Sequence, residues 1–215
     1  MAPSDLPVKV CGLTRLADAR LAWELGAAAL GFVFHPGSPR VLTPDAAAAL
    51  RRGLPREAFC VGVFVDRPAD EVNAVAARVG LDAVQLHGGE SAAVCAAVRV
   101  PVIKVLRPAP GEPPAAPAPA HPAAAFLLDA WDPALPGGSG RRADWDVARA
   151  LAAGCRLILA GGLTPDTVAA AAAAVRPAGL DLCSGLERAP GVKDPARLRA
   201  LFANLQPGGR PCLLA

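Results

Sequence analysis

The sequence predicts an α/β fold: a single-domain (β/α)8 barrel of the TIM type over residues 1–215, with its fifth helix missing or vestigial. Three observations carry this. Eight short apolar runs recur at fairly even spacing. Most are separated by Ala-rich segments with helical periodicity, the alternation of a parallel sheet covered by helices. Glycine-rich turns, and a cysteine closing the first run, fall at the carboxyl ends of the runs, where parallel barrels carry their chemistry.

The runs are Val8–Cys11, Ala29–Phe34, Phe59–Val65, Ala83–His87, Val102–Leu106, Ala125–Ala130, Leu157–Ala160 and Gly179–Cys183. Helical periodicity follows in Ala17–Leu25, Pro44–Leu50, Pro68–Val79, Asp144–Ala153 and Pro165–Val175. A last helix starts at Pro195 with Asp194 as its N-cap, since Pro suits the first helical turn and Asp accepts its free N–H groups. Pro108 to Pro122 holds seven prolines, which cannot build an ordinary helix. An extended Pro/Ala connection therefore replaces the fifth helix. No GxGxxG follows the first strand, which argues against a doubly wound dinucleotide fold.

Composition narrows the function. The 215 residues are 53% hydrophobic and 19% charged, with a formal net charge of +3. That supports one sizeable core and gives no basic run for nucleic acid. No signal peptide or membrane-length apolar segment is recognised, and the expected location is the cytoplasm. The six cysteines are scattered, without CxxC or metal-ligand spacing. A disulfide framework, a metal site and a cofactor are therefore not expected. The oligomeric state, monomer or homodimer, is left open.

Reading the strand ends in order gives the candidate site. The first strand delivers Cys11. Taken alone it reads as a small buried hydrophobe; as a thiolate near positive groups it reads as a base. The second strand leads to Ser38-Pro39-Arg40, a rigid segment whose guanidinium can fork onto a carboxylate. Gln85 and His87 share one face of the fourth strand and line the site, His87 in a structural role. The sixth delivers Asp129, whose carboxyl on the rim suits a general acid. A loop with Gly137-Gly138-Ser139-Gly140 follows it. Gly161 and Gly162 after the seventh strand, with Ser184 and Gly185 after the eighth, read as a phosphate cradle; Thr164-Pro165-Asp166 opens a helix beside it. Asp181 is a further lining residue. Lys9 and Lys104 point into the barrel, where each needs a carboxylate partner. One acid and one base between two anion clamps describe a cofactor-free isomerase acting on a small substrate with two anionic ends.

These segments, with Lys9-Val10-Cys11-Gly12, Gly31-Phe32-Val33-Phe34, Val61-Gly62-Val63-Phe64, Gln85-Leu86-His87-Gly88, Leu127-Leu128-Asp129, Asp181 through Glu187 and Pro190 through Asp194, run in order from residue 8 to 194. Together the chain resembles the phosphoribosylanthranilate isomerase family of tryptophan biosynthesis. The resemblance implies an Amadori rearrangement of N-(5-phosphoribosyl)anthranilate with Cys11 as general base, Asp129 as general acid and Arg40 on the anthranilate carboxylate. Three departures stand out. Cys183 replaces the first Ser of the usual Ser-Ser-Gly, Ala143 replaces an aromatic residue before Asp144-Trp145, and the Pro-rich stretch replaces the fifth helix. Two alternatives remain at this level: an aminoaldose isomerase of histidine biosynthesis or dual-substrate barrel, which resembling barrels build on Asp where this chain has Cys11, and a non-catalytic phosphate-ligand-binding barrel. The indole-forming synthase of the same pathway lacks its signature residues here.

Overall fold

The computed structural model describes residues 6–109, 121–130, 143–205 and 211–214. Eight parallel strands close into a barrel in sequential order. They are β1 Val8–Val10, β2 Ala29–Val33, β3 Cys60–Phe64, β4 Ala83–Leu86, β5 Val102–Leu106, β6 Ala125–Leu128, β7 Leu157–Leu159 and β8 Gly179–Leu182. Closure comes from β1 pairing with β8, with Lys9 opposite Asp181 and Val10 opposite Leu182. Most strands stop one or two residues short of the predicted runs, so Cys11, Asp129 and Cys183 sit just beyond the ladder.

Seven helices are described: α1 Leu16–Glu24, α2 Pro44–Arg52, α3 Ala69–Val79, α4 Ala92–Ala97, α5 Trp145–Ala152, α6 Val168–Val175 and α7 Pro195–Leu205. Sequence periodicity locates all but α4, which is too short to show a stripe and is capped by Ser91 accepting from Val94 N–H. Asp194 caps α7 as expected, accepting from Ala196 N–H at 2.8 Å. The expected helix start at Pro165 moves to Val168. The three residues before it form a turn that joins the helix through Val168 N–H to the Thr164 carbonyl. The Pro-rich connection falls mainly on residues 110–120, and the Gly137–Gly140 loop on 131–142, both outside the described residues. After β8, a 3-10 turn over Ser184–Leu186 leads into a hairpin of β9 Glu187–Ala189 and β10 Val192–Lys193.

Strand alternation builds two apolar layers. Outward residues such as Val10, Leu30, Phe32, Leu86, Leu128 and Leu159 pack against the helices. Inward residues such as Ala29, Val61, Ile103, Leu127 and Ile158 fill the lower barrel. This alternation corrects one expectation. Ile103 and Val105 occupy the inward positions, so Lys104 faces the helix side. Its ammonium curls over the strand ends to the carbonyls of Leu86 and Gly88 and to Glu90 Oε2 at 2.7 Å. The carboxylate partner exists, but outside the barrel.

Glu90 is buried and also accepts from the backbone N–H groups of Asp66 and Gly88, so Lys104 neutralises a charge that ties the third and fourth βα loops together. Lys104→Met leaves that carboxylate uncompensated and is expected to cost about 3–5 kcal/mol in urea unfolding. Adding Glu90→Gln should recover part of the loss. A stability change within about 0.5 kcal/mol for Lys104→Met would show that the pair contributes little.

Candidate active site

A cavity opens at the carboxyl ends of the strands. Cys11, Gln85, His87, Asp129 and Asp181 line its floor. Arg40 stands on its wall. The sequence-predicted residues on six strand ends or the loops after them are thus brought to one place.

The floor is a network of charges that strand alternation turns inward. Lys9 is fully buried, and its ammonium donates to Asp181 Oδ1 and to Gln85 Oε1, each at 2.9 Å. The predicted carboxylate partner of Lys9 is therefore Asp181. Burial pulls the Lys9 ammonium down, but Asp181 and Cys11 outweigh it and hold it above its usual range. Burial pushes the Asp181 carboxyl up to about 7, against the opposing pull of Lys9.

Cys11 sits one step above Lys9 on the same face. Its backbone N–H donates to the Leu182 carbonyl at 2.9 Å, which fixes it beside the end of β8. Space for the thiol exists because Gly31 lies opposite: a Cβ there would meet Cys11 Sγ at 2.8 Å and its Cα at 3.0 Å. Cys183 packs against Cys11. Hydrogen bonding from the Cys183 thiol lowers Cys11 well below the ordinary thiol range; burial opposes this and the Lys9 and Lys193 charges add to it. Cys183 moves well up for the converse reason, as the hydrogen-bond donor of the pair. By contrast, burial pushes Cys60 up to about 12. Cys183, where the resemblance leads one to expect serine, thus places a second thiol against Cys11, with Glu187 Oε1 4.0 Å from its Sγ.

A second charged cluster was not legible as such. Glu187 is buried and takes Arg40 Nε at 2.9 Å, Arg40 Nη2 at 2.6 Å and Lys193 Nζ at 2.9 Å. Burial raises the Glu187 carboxyl, but the bonds from Arg40 and Lys193 prevail and hold it below its usual range. Lys193 also donates to the Cys183 carbonyl at 3.0 Å and lies 3.9 Å from Cys183 Sγ. The only sequence signal was the presence of both residues in the segments flanking the last turn. The cluster changes the reading of Arg40. One edge of its fork is held by Glu187, and Nη1 is the group with no protein acceptor among the described residues.

Asp129 lies beyond β6 with Oδ1 accepting from Ala130 N–H at 2.8 Å. Oδ2 faces His87 Nε2 at 3.3 Å. His87 Nδ1 is 2.9 Å from Gln85 Nε2. His35, read as a loop residue, also lines the cavity; His121 packs edge-on against Phe126 with centroids 5.1 Å apart.

The glycine loops close the far side. Gly161 and Gly162 have φ of +82° and +63°, so two successive N–H groups turn out of the strand path. Gly185 packs so tightly on the seventh-strand loop that a Cβ would run into the Leu163 carbonyl oxygen. Among the described residues, none accepts from the N–H groups of Gly162, Ser184 or Gly185. All four predicted phosphate residues line the cavity.

The fold and floor together define a (β/α)8 barrel with a titratable cavity at the strand carboxyl ends, lined also by Arg40 and the glycine loops. Residues 8–204 match the family model for N-(5′-phosphoribosyl)anthranilate (PRA) isomerase, and the chain belongs to that family. It is 48% identical over 194 residues to N-(5′-phosphoribosyl)anthranilate isomerase of Pelobacter propionicus, covering 90% of this chain and 92% of that one. It is 50% identical over 196 residues to the protein of the same name from Citrifermentans bemidjiense, covering 91% and 95%. Among solved structures it is similar to phosphoribosyl anthranilate isomerase from Thermus thermophilus, with TM-score 0.85, 46% identity and coverage of 94% and 98%. It is also similar, at TM-score 0.78 and 34% identity over 94% and 98% of the chains, to a phosphoribosyl anthranilate isomerase in complex with reduced 1-(o-carboxyphenylamino)-1-deoxyribulose 5-phosphate.

The Cys11–Cys183 contact gives a signed pH prediction. A thiolate whose folded pKa is depressed is lost as pH falls through that folded value. Cys183→Ala removes the donor, so the pH dependence of Cys11 alkylation by iodoacetamide should move to higher pH. Cys183→Ser retains a donor and should move it less. An unshifted alanine profile would assign the depression to the lysines alone.

Proposed function

We propose that the chain converts N-(5-phosphoribosyl)anthranilate to 1-(2-carboxyphenylamino)-1-deoxyribulose 5-phosphate, with Cys11 as general base and Asp129 as general acid. The observation that carries the assignment of roles is the shared cavity floor: a depressed thiol and a rim carboxyl between an arginine wall and glycine loops. Family membership supports the reaction, and the bound analogue in a 34% identical relative supports the substrate class.

The ribose phosphate rests against Gly161, Gly162, Ser184 and Gly185, whose N–H groups supply donors without side-chain charge. Arg40 Nη1 takes the benzoate carboxylate. Asp129 gives its proton to the ribose ring oxygen; the C1–O bond breaks, and the anilino nitrogen lone pair forms the iminium. The Cys11 thiolate removes the C2 proton, and those electrons reduce the iminium to the enolamine. Tautomerisation places a proton on C1 and leaves the ketone at C2. Electrons balance within the substrate, so no redox cofactor is needed. Asp181 and Gln85 hold Lys9 beneath Cys11. We place the enzyme in the cytoplasm, which fits its free thiols. A Thermotoga maritima relative is described as dimeric with engineered monomers, and either state is compatible with a site built within one chain.

Loss of substrate fluorescence with purified protein measures turnover directly. Cys11→Ala and Asp129→Asn should each lower kcat by at least about a hundredfold, with folding nearly unchanged. Near-normal kcat in Cys11→Ala would return Cys11 to a packing role. At the other end, Gly162 has positive φ, where a Cβ is strained. Gly162→Ala should raise KM by about tenfold, with a smaller change in kcat, and weaken competition by inorganic phosphate. Unaltered phosphate inhibition would place the anion elsewhere.

A further inference from the structure

The proposed chemistry uses Cys11 and Asp129 but does not account for the buried polar row that joins the base's strand to the acid's. The row runs Lys9 Nζ to Gln85 Oε1 at 2.9 Å, Gln85 Nε2 to His87 Nδ1 at 2.9 Å, and His87 Nε2 toward Asp129 Oδ2 at 3.3 Å. Lys9, Gln85 and His87 are all buried, on strands β1 and β4 and the end of β4.

The direction of every bond in this row follows from its first member. An ammonium donates and cannot accept. Lys9 therefore faces the amide oxygen of Gln85. The amide nitrogen is then turned to His87, and it can only donate. His87 Nδ1 must present its lone pair, which leaves the ring proton on Nε2. That N–H is directed to the Asp129 side of the cavity. At 3.3 Å it is within reach of Oδ2, but it is off the line of a hydrogen bond, so Nε2 is a buried polar atom without an aligned acceptor among the described residues. Asp129 Oδ1 is already held by Ala130 N–H. Among the described residues Oδ2 is thus the oxygen left to pass a proton, and the His87 N–H waits beside it.

We propose that Lys9, Gln85 and His87 form a directional relay that positions Asp129, with Gln85 and His87 as positioning residues for the acid step. The inference rests on the reading of Asp129 as general acid. When Asp129 releases its proton, Oδ2 gains charge, and the His87 Nε2–H tightens onto it. A contact that strengthens as charge develops lowers the barrier and not the substrate's binding energy. The relay acts on kcat and leaves KM largely alone.

The test has a spectroscopic arm and a kinetic arm. In 15N-labelled protein at neutral pH, long-range 15N–1H correlation reads the tautomer of each of the three histidines. The signal missing in His87→Gln identifies His87, which should be the neutral Nε2–H form. Gln85→Glu still accepts from Lys9 but turns a carboxylate oxygen to Nδ1, which must then be protonated. In that variant the Nδ1–H signal should appear, and kcat should fall about tenfold to a hundredfold with KM within about threefold. His87→Leu should lose a similar factor. His87→Gln offers an acceptor to Gln85 and a donor to Asp129, and should recover most of the kcat lost in His87→Leu. These two variants carry the kinetic arm if Gln85→Glu folds poorly. An Nδ1–H or doubly protonated His87 in the unmodified protein overturns the proposal. So does an unchanged kcat in the relay variants, or glutamine performing no better than leucine. Full activity in Asp129→Asn with the expected tautomer would instead remove the acid assignment and leave the relay's direction standing.

Discussion

A lysine ammonium at the centre of the barrel is the constraint on which the site depends. Lys9 is fully buried, and a charge there persists only because Asp181 and Gln85 accept from it. Those two contacts span three strands: β1, which carries Lys9, its neighbour β8, and β4 across the barrel. They fix the rotamers of the groups that form the cavity floor. They also place positive charge under Cys11, where it favours thiolate over thiol.

The upper layer repeats this logic with opposite sign. Glu187 is the buried anion, and Arg40 and Lys193 are its cations. Its own charge is neutralised locally, yet Lys193 remains beside the Cys183 carbonyl and thiol. The thiol pair therefore lies between two charged clusters, one below and one beside it. Cys183 belongs to this arrangement as the thiol packed beside Cys11, between it and the Glu187–Lys193 pair. Arg40 is held by Glu187 on one edge, which fixes the guanidinium at the cavity wall and limits what it can offer a ligand to its remaining edge.

Close approach, more than flexibility, explains the glycines that matter. Gly31 makes room for the Cys11 thiol, and Gly185 lets the last two βα loops touch at the Leu163 carbonyl. The positive φ values of Gly161 and Gly162 turn their backbone out of the strand path at the cavity's edge. Adding one methyl group at any of these positions alters the geometry of the site without removing a functional group.

The barrel, its strand order and most of its helices were legible because alternation and helical periodicity are local properties of the chain. That Cys11, Asp129, Arg40 and the glycine loops share one cavity was legible for a related reason: parallel strands all end at one face, so reading strand ends finds what lines it. The short helix α4 was not legible, since six residues carry too little pattern. Lys104 was assigned to the wrong face because its carboxylate need is the same on either side, and the alternation of Ile103 and Val105 decides the question. What only the tertiary structure decided is pairing. Asp181 is 172 residues from Lys9, and Glu187 is 147 from Arg40. No local pattern records such a distance. Barrel closure brings β8 against β1, and burial then obliges each charge to take the partner that closure supplies.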